Sequence, residues 1–260
     1  MREFLEEAEA HRKDGYRAAQ SHARQQAPKR FYKDVTIGED TEGFAVLLDG
    51  KAVRTPGLKP IRLQQRAIAE AIADEWRAQR ETIEFAEMPL VRLVNSGIEA
   101  GDGRGDGRGD DFRAEVIKYC GSDLLLYRAD TPRELVAAQD AAWDPILVAL
   151  ARHFDVVFQP TIGIVHVAQP ERTLARLDAA LDGENLLRLT AMASLISLTG
   201  SGLVTIALAN GLVVPDDAWA AAHVDEDHNI RLWGEDAEAS QRRAFRRREF
   251  DAAVRLLALA

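Results

Sequence analysis

The patterned part of the chain opens with short runs of aromatic and β-branched residues. Residues 31–37 (FYKDVTI) and 44–48 (FAVLL) read as strands, with the turn composition of residues 38–43 between them. Asp49-Gly50 is a hairpin signal that leads into residues 51–55. The period then becomes helical. Over residues 63–80, Ile68, Ile72, Trp76 and Gln79 share one face, while Glu70, Asp74, Arg77 and Glu81 mostly lie off it. Residues 110–119 read as a helix and 124–127 as a buried strand. Thr131-Pro132-Arg133-Glu134 has the form of a capping box with proline at the first helical position. The helix it opens runs toward His153, with a kink expected at Pro145 near Trp143-Asp144. Residues 154–167 return to strand-like composition around Pro160 and Gly163, and from Glu171 the pattern is helical almost to the end.

The fold class this predicts is α+β. An N-terminal mixed β/α domain, residues 30–150, is followed by a C-terminal all-helical orthogonal bundle, residues 151–260, with the boundary somewhere in 130–170. Residues 1–29 are expected to form a leader helix or flexible arm.

One segment tests whether the chain is soluble. Residues 189–215 carry no charge and are long enough to span a bilayer. They also hold six Ser/Thr hydroxyls, Asn210 and a Thr199-Gly200-Ser201-Gly202 break. Glycine weakens a helix interior, so two short buried helices meeting at the glycines are expected, without stable membrane insertion.

Composition narrows the function. The 260 residues are 47% hydrophobic and 29% charged, with a net charge of −9. That balance gives no pull toward nucleic acid or an anionic membrane. The single cysteine, Cys120, excludes an internal disulfide framework and a multi-thiolate zinc site; it is read as a buried small side chain. Acids at positions 3, 6, 7, 9 and 14 speak against a transit peptide, and no apolar signal run precedes them. The glycine-rich run at 101–110 fails the calcium-loop spacing and lacks a phosphate-loop Gly-Lys-Ser/Thr, so a flexible loop is expected. No nucleotide fingerprint, His-Glu-x-x-His or Gly-x-Ser-x-Gly occurs.

The chemistry that remains is concentrated in residues 223–239, HVDEDHNIRLWGEDAEA. His223 and His228, five positions apart, fall about 140° apart on a helix and do not share a metal there. A helix starting at Pro215 places Trp219, Ala222, Ile230 and Trp233 on one stripe, which is expected to be buried. Glu226 falls inside that stripe, flanked by Asp225 and Asp227. A buried carboxylate needs a partner, either one of Arg242, Arg243, Arg246, Arg247 and Arg248 or a donor on another protein. Asp225, Asp227, Glu235, Asp236 and Glu238 otherwise read as a solvated acidic face.

An ordered set of short segments gives the chain a family resemblance. They are Lys29-Arg30-Phe31-Tyr32-Lys33, Leu48-Asp49-Gly50-Lys51 with Thr55-Pro56, and Glu75-Trp76. Met88-Pro89-Leu90 with Arg92-Leu93 follows, then Asp123-Leu124-Leu125 with Tyr127-Arg128, then Trp143-Asp144-Pro145. Leu198-Thr199-Gly200-Ser201, Asp225-Glu226 and Trp233-Gly234-Glu235-Asp236-Ala237-Glu238-Ala239 complete it. With these, residues 30–259 resemble the ATP synthase assembly chaperones that handle the alpha subunit of the soluble catalytic head. His228 departs from the resemblance, standing where an aromatic is expected.

The resemblance implies a chaperone with no enzymatic activity, cofactor or metal. Such a protein, monomeric when free, holds the unassembled alpha subunit, shields its interface from aggregation and releases it to the beta subunit. The family's acidic position near the C-terminus carries over to Asp225-Glu226, and the partner-binding set expected around it is Glu226, Asp225, Asp227, Trp233, Glu235, Asp236 and Glu238. Mitochondrial members of that family carry a presequence and work in the matrix, whereas the acidic leader here reads as a bacterial, cytoplasmic start. The competing reading from residues alone is a carboxylate- or metal-dependent enzyme built on Glu226, Asp227 and His228.

Overall fold

The computed structural model of the chain describes residues 27–101 and 108–260. The expectation for the leader falls outside these residues up to position 26, as does that for the glycine-rich run over 102–107. The remainder has the expected α+β architecture: a small N-terminal sheet with helices, then a helical C-terminal part.

The first strand is displaced from its expected place. Residues 28–30 run antiparallel beside residues 81–83 instead, with Arg30 N donating to Glu81 O and Ile83 N to Pro28 O. Strand β1 (Val35–Asp40) pairs antiparallel with β2 (Gly43–Leu48), from Val35↔Leu48 to Asp40↔Gly43, so the turn is only Thr41-Glu42. Gly38 is a packing residue within β1. A Cβ there would lie 3.0 Å from Leu47 Cδ1, and the bare backbone leaves that space to the leucine. Asp49 and Gly50, at φ 47° and 80°, make the expected tight hairpin into β3 (Lys51–Ala52).

Helix α1 (Arg66–Ala78) packs on β1 and β2 and buries Ile68, Ile72, Trp76 and, just beyond its end, Gln79, as its period predicts. Its Glu75 carboxylate accepts from Leu90 N at 2.9 Å and Val91 N at 2.8 Å. These are first-turn amides of α2 (Pro89–Ala100), which has no cap of its own, so Glu75 supplies the missing acceptors from a neighbouring helix. Helix α3 (Arg108–Gly121) follows.

Residues 124–127 are a correction. Leu124–Leu126 form a 3₁₀ turn, and only Tyr127–Arg128 (β4) is strand, paired in parallel with β5 (Thr161–Ile162). The turn forms because Asp123 accepts from Leu125 N and so competes with an extended course. The capping box does not form either. Helix α4 (Arg133–Phe154) has Pro132 at its cap, and the Thr131 hydroxyl bonds Asp130 instead. Helix α4 continues through Pro145 and is anchored by Trp143 Nε1, which donates to Ala221 O at 2.7 Å. Of residues 154–167, read as strand-like, only Thr161–Ile162 pairs. Phe154 ends α4, the rest of the segment has no strand to pair with and is irregular, and Val157, Ile162, Ile164 and Val165 are exposed.

The uncharged segment resolves as expected. After α5 (Glu171–Ala179), helices α6 (Leu186–Thr199) and α7 (Gly202–Ala209) meet at Gly200, whose φ of 70° ends α6. Ser201 caps α7 by accepting from Val204 N. No helix among the described residues is long and apolar enough to cross a membrane. The junction is held by Asp123, which is fully buried. It accepts from Ser201 Oγ at 2.7 Å, Leu203 N at 2.9 Å and Leu125 N at 3.1 Å.

Helices α8 (Pro215–Ala222), α9 (Val224–Trp233) and α10 (Ala237–Leu259) close the chain. α10 lies along α6 and returns to the N-terminal part. There Glu249 pairs with Arg92 at 2.5 Å, Arg248 with Glu87 at 2.8 Å, and Ala260 O accepts from Gln65. One hydrophobic core therefore runs from Val46 and Ile72 through Leu125 and Trp143 to Leu195 and Phe250.

Candidate interaction surface

The acidic stretch is two helices, and that overturns the expected stripe. The chain breaks at His223 (φ −123°, ψ 17°), where the backbone N–H bonds Ala220 O and Nδ1 lies 2.7 Å from Trp219 O. The Trp219 carbonyl only accepts, so Nδ1 carries the proton. Trp219 and His223 also stack, with centroids 3.9 Å apart. Because the break resets the helical phase, α9 buries Val224 and His228, not Ile230 and Trp233. Trp233 is 84% exposed, next to exposed Leu232. Glu226 is partly exposed, outside any apolar stripe.

The expected arginine pairing occurs one residue later. Asp227 pairs with Arg243 of α10 at 2.5 Å, which raises the Arg243 pKa. Asp225 accepts from Gln139 of α4 at 2.7 Å. Glu235 accepts from Ser240 Oγ at 2.6 Å, Asp236 caps α10 through Ala239 N, and Glu238 pairs with Arg242 at 2.6 Å. Glu226 lies 3.9 Å from His223 Nε2, beyond hydrogen-bond distance, and its charge adds to the raising of the Arg243 pKa. Burial lowers the His223 pKa, and the neutral ring, protonated at Nδ1, turns a lone pair toward that carboxylate. Of the six acids, five are held by donors and Glu226 accepts no hydrogen bond among the described residues.

Among the described residues, no three His, Cys, Asp or Glu side chains converge to hold a metal. Asp227 is occupied by Arg243, and His228 is buried with its Nε2 unpaired. Glu226, Asp227 and His228 are thus dispersed between solvent, an ion pair and the core. Cys120 is buried as expected, and burial pushes its thiol pKa well up.

Sequence reasoning missed a second exposed apolar surface. Residues 156–170 contain no charged side chain, and Ile164 within them is 94% exposed. The available signal was that uncharged run, bounded by Asp155 and Glu171, without a helical period.

The family described as ATP12 chaperone protein matches over residues 29–151. The crystal structure of Atp12 from Paracoccus denitrificans superposes with a TM-score of 0.81 at 36% identity, covering 89% of this chain and 98% of that one. The chain belongs to the ATP12 chaperone family. An aspartate-to-lysine variant of the Paracoccus protein matches equally, at 36% identity over 89% of this chain and 97% of that one, TM-score 0.81. A putative chaperone from Agrobacterium tumefaciens is similar at 39% identity and TM-score 0.84, over 89% of this chain and 86% of that one. For an ATP12-family chain, the short segments singled out in the sequence acquire structural meaning. Glu75 caps α2, Arg128 pairs with Asp140 and Asp144, and Asp123 joins the 3₁₀ turn to α7.

Proposed function

We propose that this protein is an assembly chaperone for the ATP synthase alpha subunit. It binds the unassembled subunit, covers an interface that would otherwise self-associate, and yields it to the beta subunit. The observation that supports this best is the similarity to Paracoccus Atp12 along nearly the whole length of both chains. The surface agrees in kind: exposed Leu232 and Trp233 stand near the end of a helix whose Glu226 has no internal hydrogen bond. Large apolar side chains flanked by polar groups are characteristic of protein-binding patches.

No bond is made or broken in this reading, and no cofactor or metal takes part. Release needs only a competitor of higher affinity. The free protein is a monomer of the bacterial cytoplasm. Glu226 and Trp233 lead the contact set, with Asp225, Asp227, Glu235, Asp236 and Glu238 around them holding the local geometry.

The test is capture of purified alpha subunit, with and without beta. Wild type should bind alpha and lose it when beta is added. Glu226→Gln removes one charge-assisted contact worth about 1.5–3 kcal/mol, so affinity should fall about tenfold or more at unchanged thermal stability. Wild-type failure to bind alpha would refute the function, and undiminished binding by the variant would refute the role of Glu226.

A further inference from the structure

Three segments of the family resemblance meet far from the acidic helix, in a pocket of about 330 Å³ beside the hairpin. Phe31, Leu48, Lys51, Val53, Arg54 and Trp76 line it. Most polar groups of those segments serve the fold. Arg30 donates to the carbonyls of Gln79, Tyr32 and Lys33, and Tyr32 Oη donates to Trp76 O at 2.7 Å. Asp49 accepts from Lys33 N and Asp34 N, bonds that hold its carboxyl below the usual range.

Three groups are left over. The Phe31 ring is 73% exposed. The Lys51 amine has neither an ion pair nor a hydrogen bond among the described residues. Trp76 is 5% exposed, and its Nε1 is buried without a hydrogen-bond partner. Tyr32 and Phe85 hold that indole edge-to-face at 5.6 and 6.2 Å, so its N–H keeps a fixed orientation. The indole thus forms a rigid wall of the pocket.

Charge points the same way. Lys51 and Arg54 line the opening against the single carboxylate of Asp49, a local positive excess on a chain of net charge −9. The volume lies at the low end for ligand sites, which suits one or two side chains.

We propose that this pocket docks an extended, acidic segment of the client protein. An apolar side chain of that segment fills the space between Phe31, Leu48 and Val53. A neighbouring carboxylate pairs with Lys51. This rests on the chaperone reading above and adds a second contact, on the N-terminal sheet, to the one at α9.

The experiment measures affinity of the full chain for isolated ATP synthase alpha subunit in Lys51→Glu, Phe31→Ala and Lys118→Glu, the last an exposed lysine on α3. Melting temperatures are recorded in parallel. Lys51→Glu and Phe31→Ala should each bind at least tenfold more weakly, with Lys118→Glu within twofold of wild type and all three melting with it. If Lys51→Glu and Phe31→Ala bind as wild type does, the docking site is refuted while the chaperone function stands. If wild type itself does not bind, the function fails first and the docking site falls with it.

Discussion

Alanine at Gly202 would drive a methyl group into two backbone atoms. The built Cβ lies 2.7 Å from Val116 O, 2.9 Å from Cys120 N and 2.8 Å from Cys120 Sγ. Ordinary carbon contacts begin near 3.4 Å, so α7 and α3 must separate by about 0.7 Å in a close-packed interior. Overpacking of this kind costs about 1–3 kcal/mol, and the upper end applies because two of the three obstacles are main-chain atoms. Alanine's better helix propensity returns less than about 1 kcal/mol at a first helical position. A net loss of about 2–3 kcal/mol should lower the melting temperature by roughly 4–12 °C in a chain of this size. The assay is urea and thermal unfolding followed by far-UV circular dichroism. Gly200→Ala serves as the contrast. Nothing lies within 4 Å of its Cβ, but φ is 70°, so it pays only left-handed strain of about 1–2 kcal/mol. Gly202→Ala unfolding at or above the wild-type midpoint would show that α3 and α7 are not in the contact described.

Burial raises the Asp123 pKa from 3.8 to about 6. A folded value above the unfolded one means its stabilisation is complete below pH 3.8 and is lost as pH rises through 6. Asp123→Asn removes that dependence, so wild-type stability minus variant stability should fall by about 2 kcal/mol between pH 4 and pH 7; a pH-independent difference would refute it. His223 has the opposite sign. Its folded pKa lies below 6.5, so its contribution is present above that pH and is lost as pH falls below it. Proton NMR titration should give a His223 midpoint under 6.5, and one above would mean that Glu226 controls the ring instead.

Residues whose environment is repetitive were legible in the sequence. Ile68, Ile72, Trp76 and Gln79 repeat along a helix that meets a single surface, so the period alone locates them. Gly200 and the Asp49-Gly50 pair announce themselves through their backbone freedom. The break at His223 carries no such mark. It depends on a side chain bonding the carbonyl four residues back, and a periodic extrapolation through it put Trp233 inside and Glu226 with it. Residues 154–167 failed for a different reason. Their β-branched composition gives a preference for strand, but a strand needs a neighbour, and only Tyr127–Arg128 offers one. The arginine partner was foreseen in kind but displaced to Asp227, since register across a helix–helix contact is decided by packing that a single sequence does not display. The Phe31–Trp76 pocket joins positions 45 apart in the chain, and no local pattern reports that.

The bare stretch between Asp155 and Glu171 carries a hazard for its owner. Greasy, β-branched side chains beside an unpaired edge are what crowded solutions glue together into fibres. Two prolines, Pro160 and Pro170, and the left-handed bend at Gly163 chop the run so that only two residues extend side by side. The molecule can thus wear an adhesive strip openly, while copies of itself find too short a ribbon to zip against.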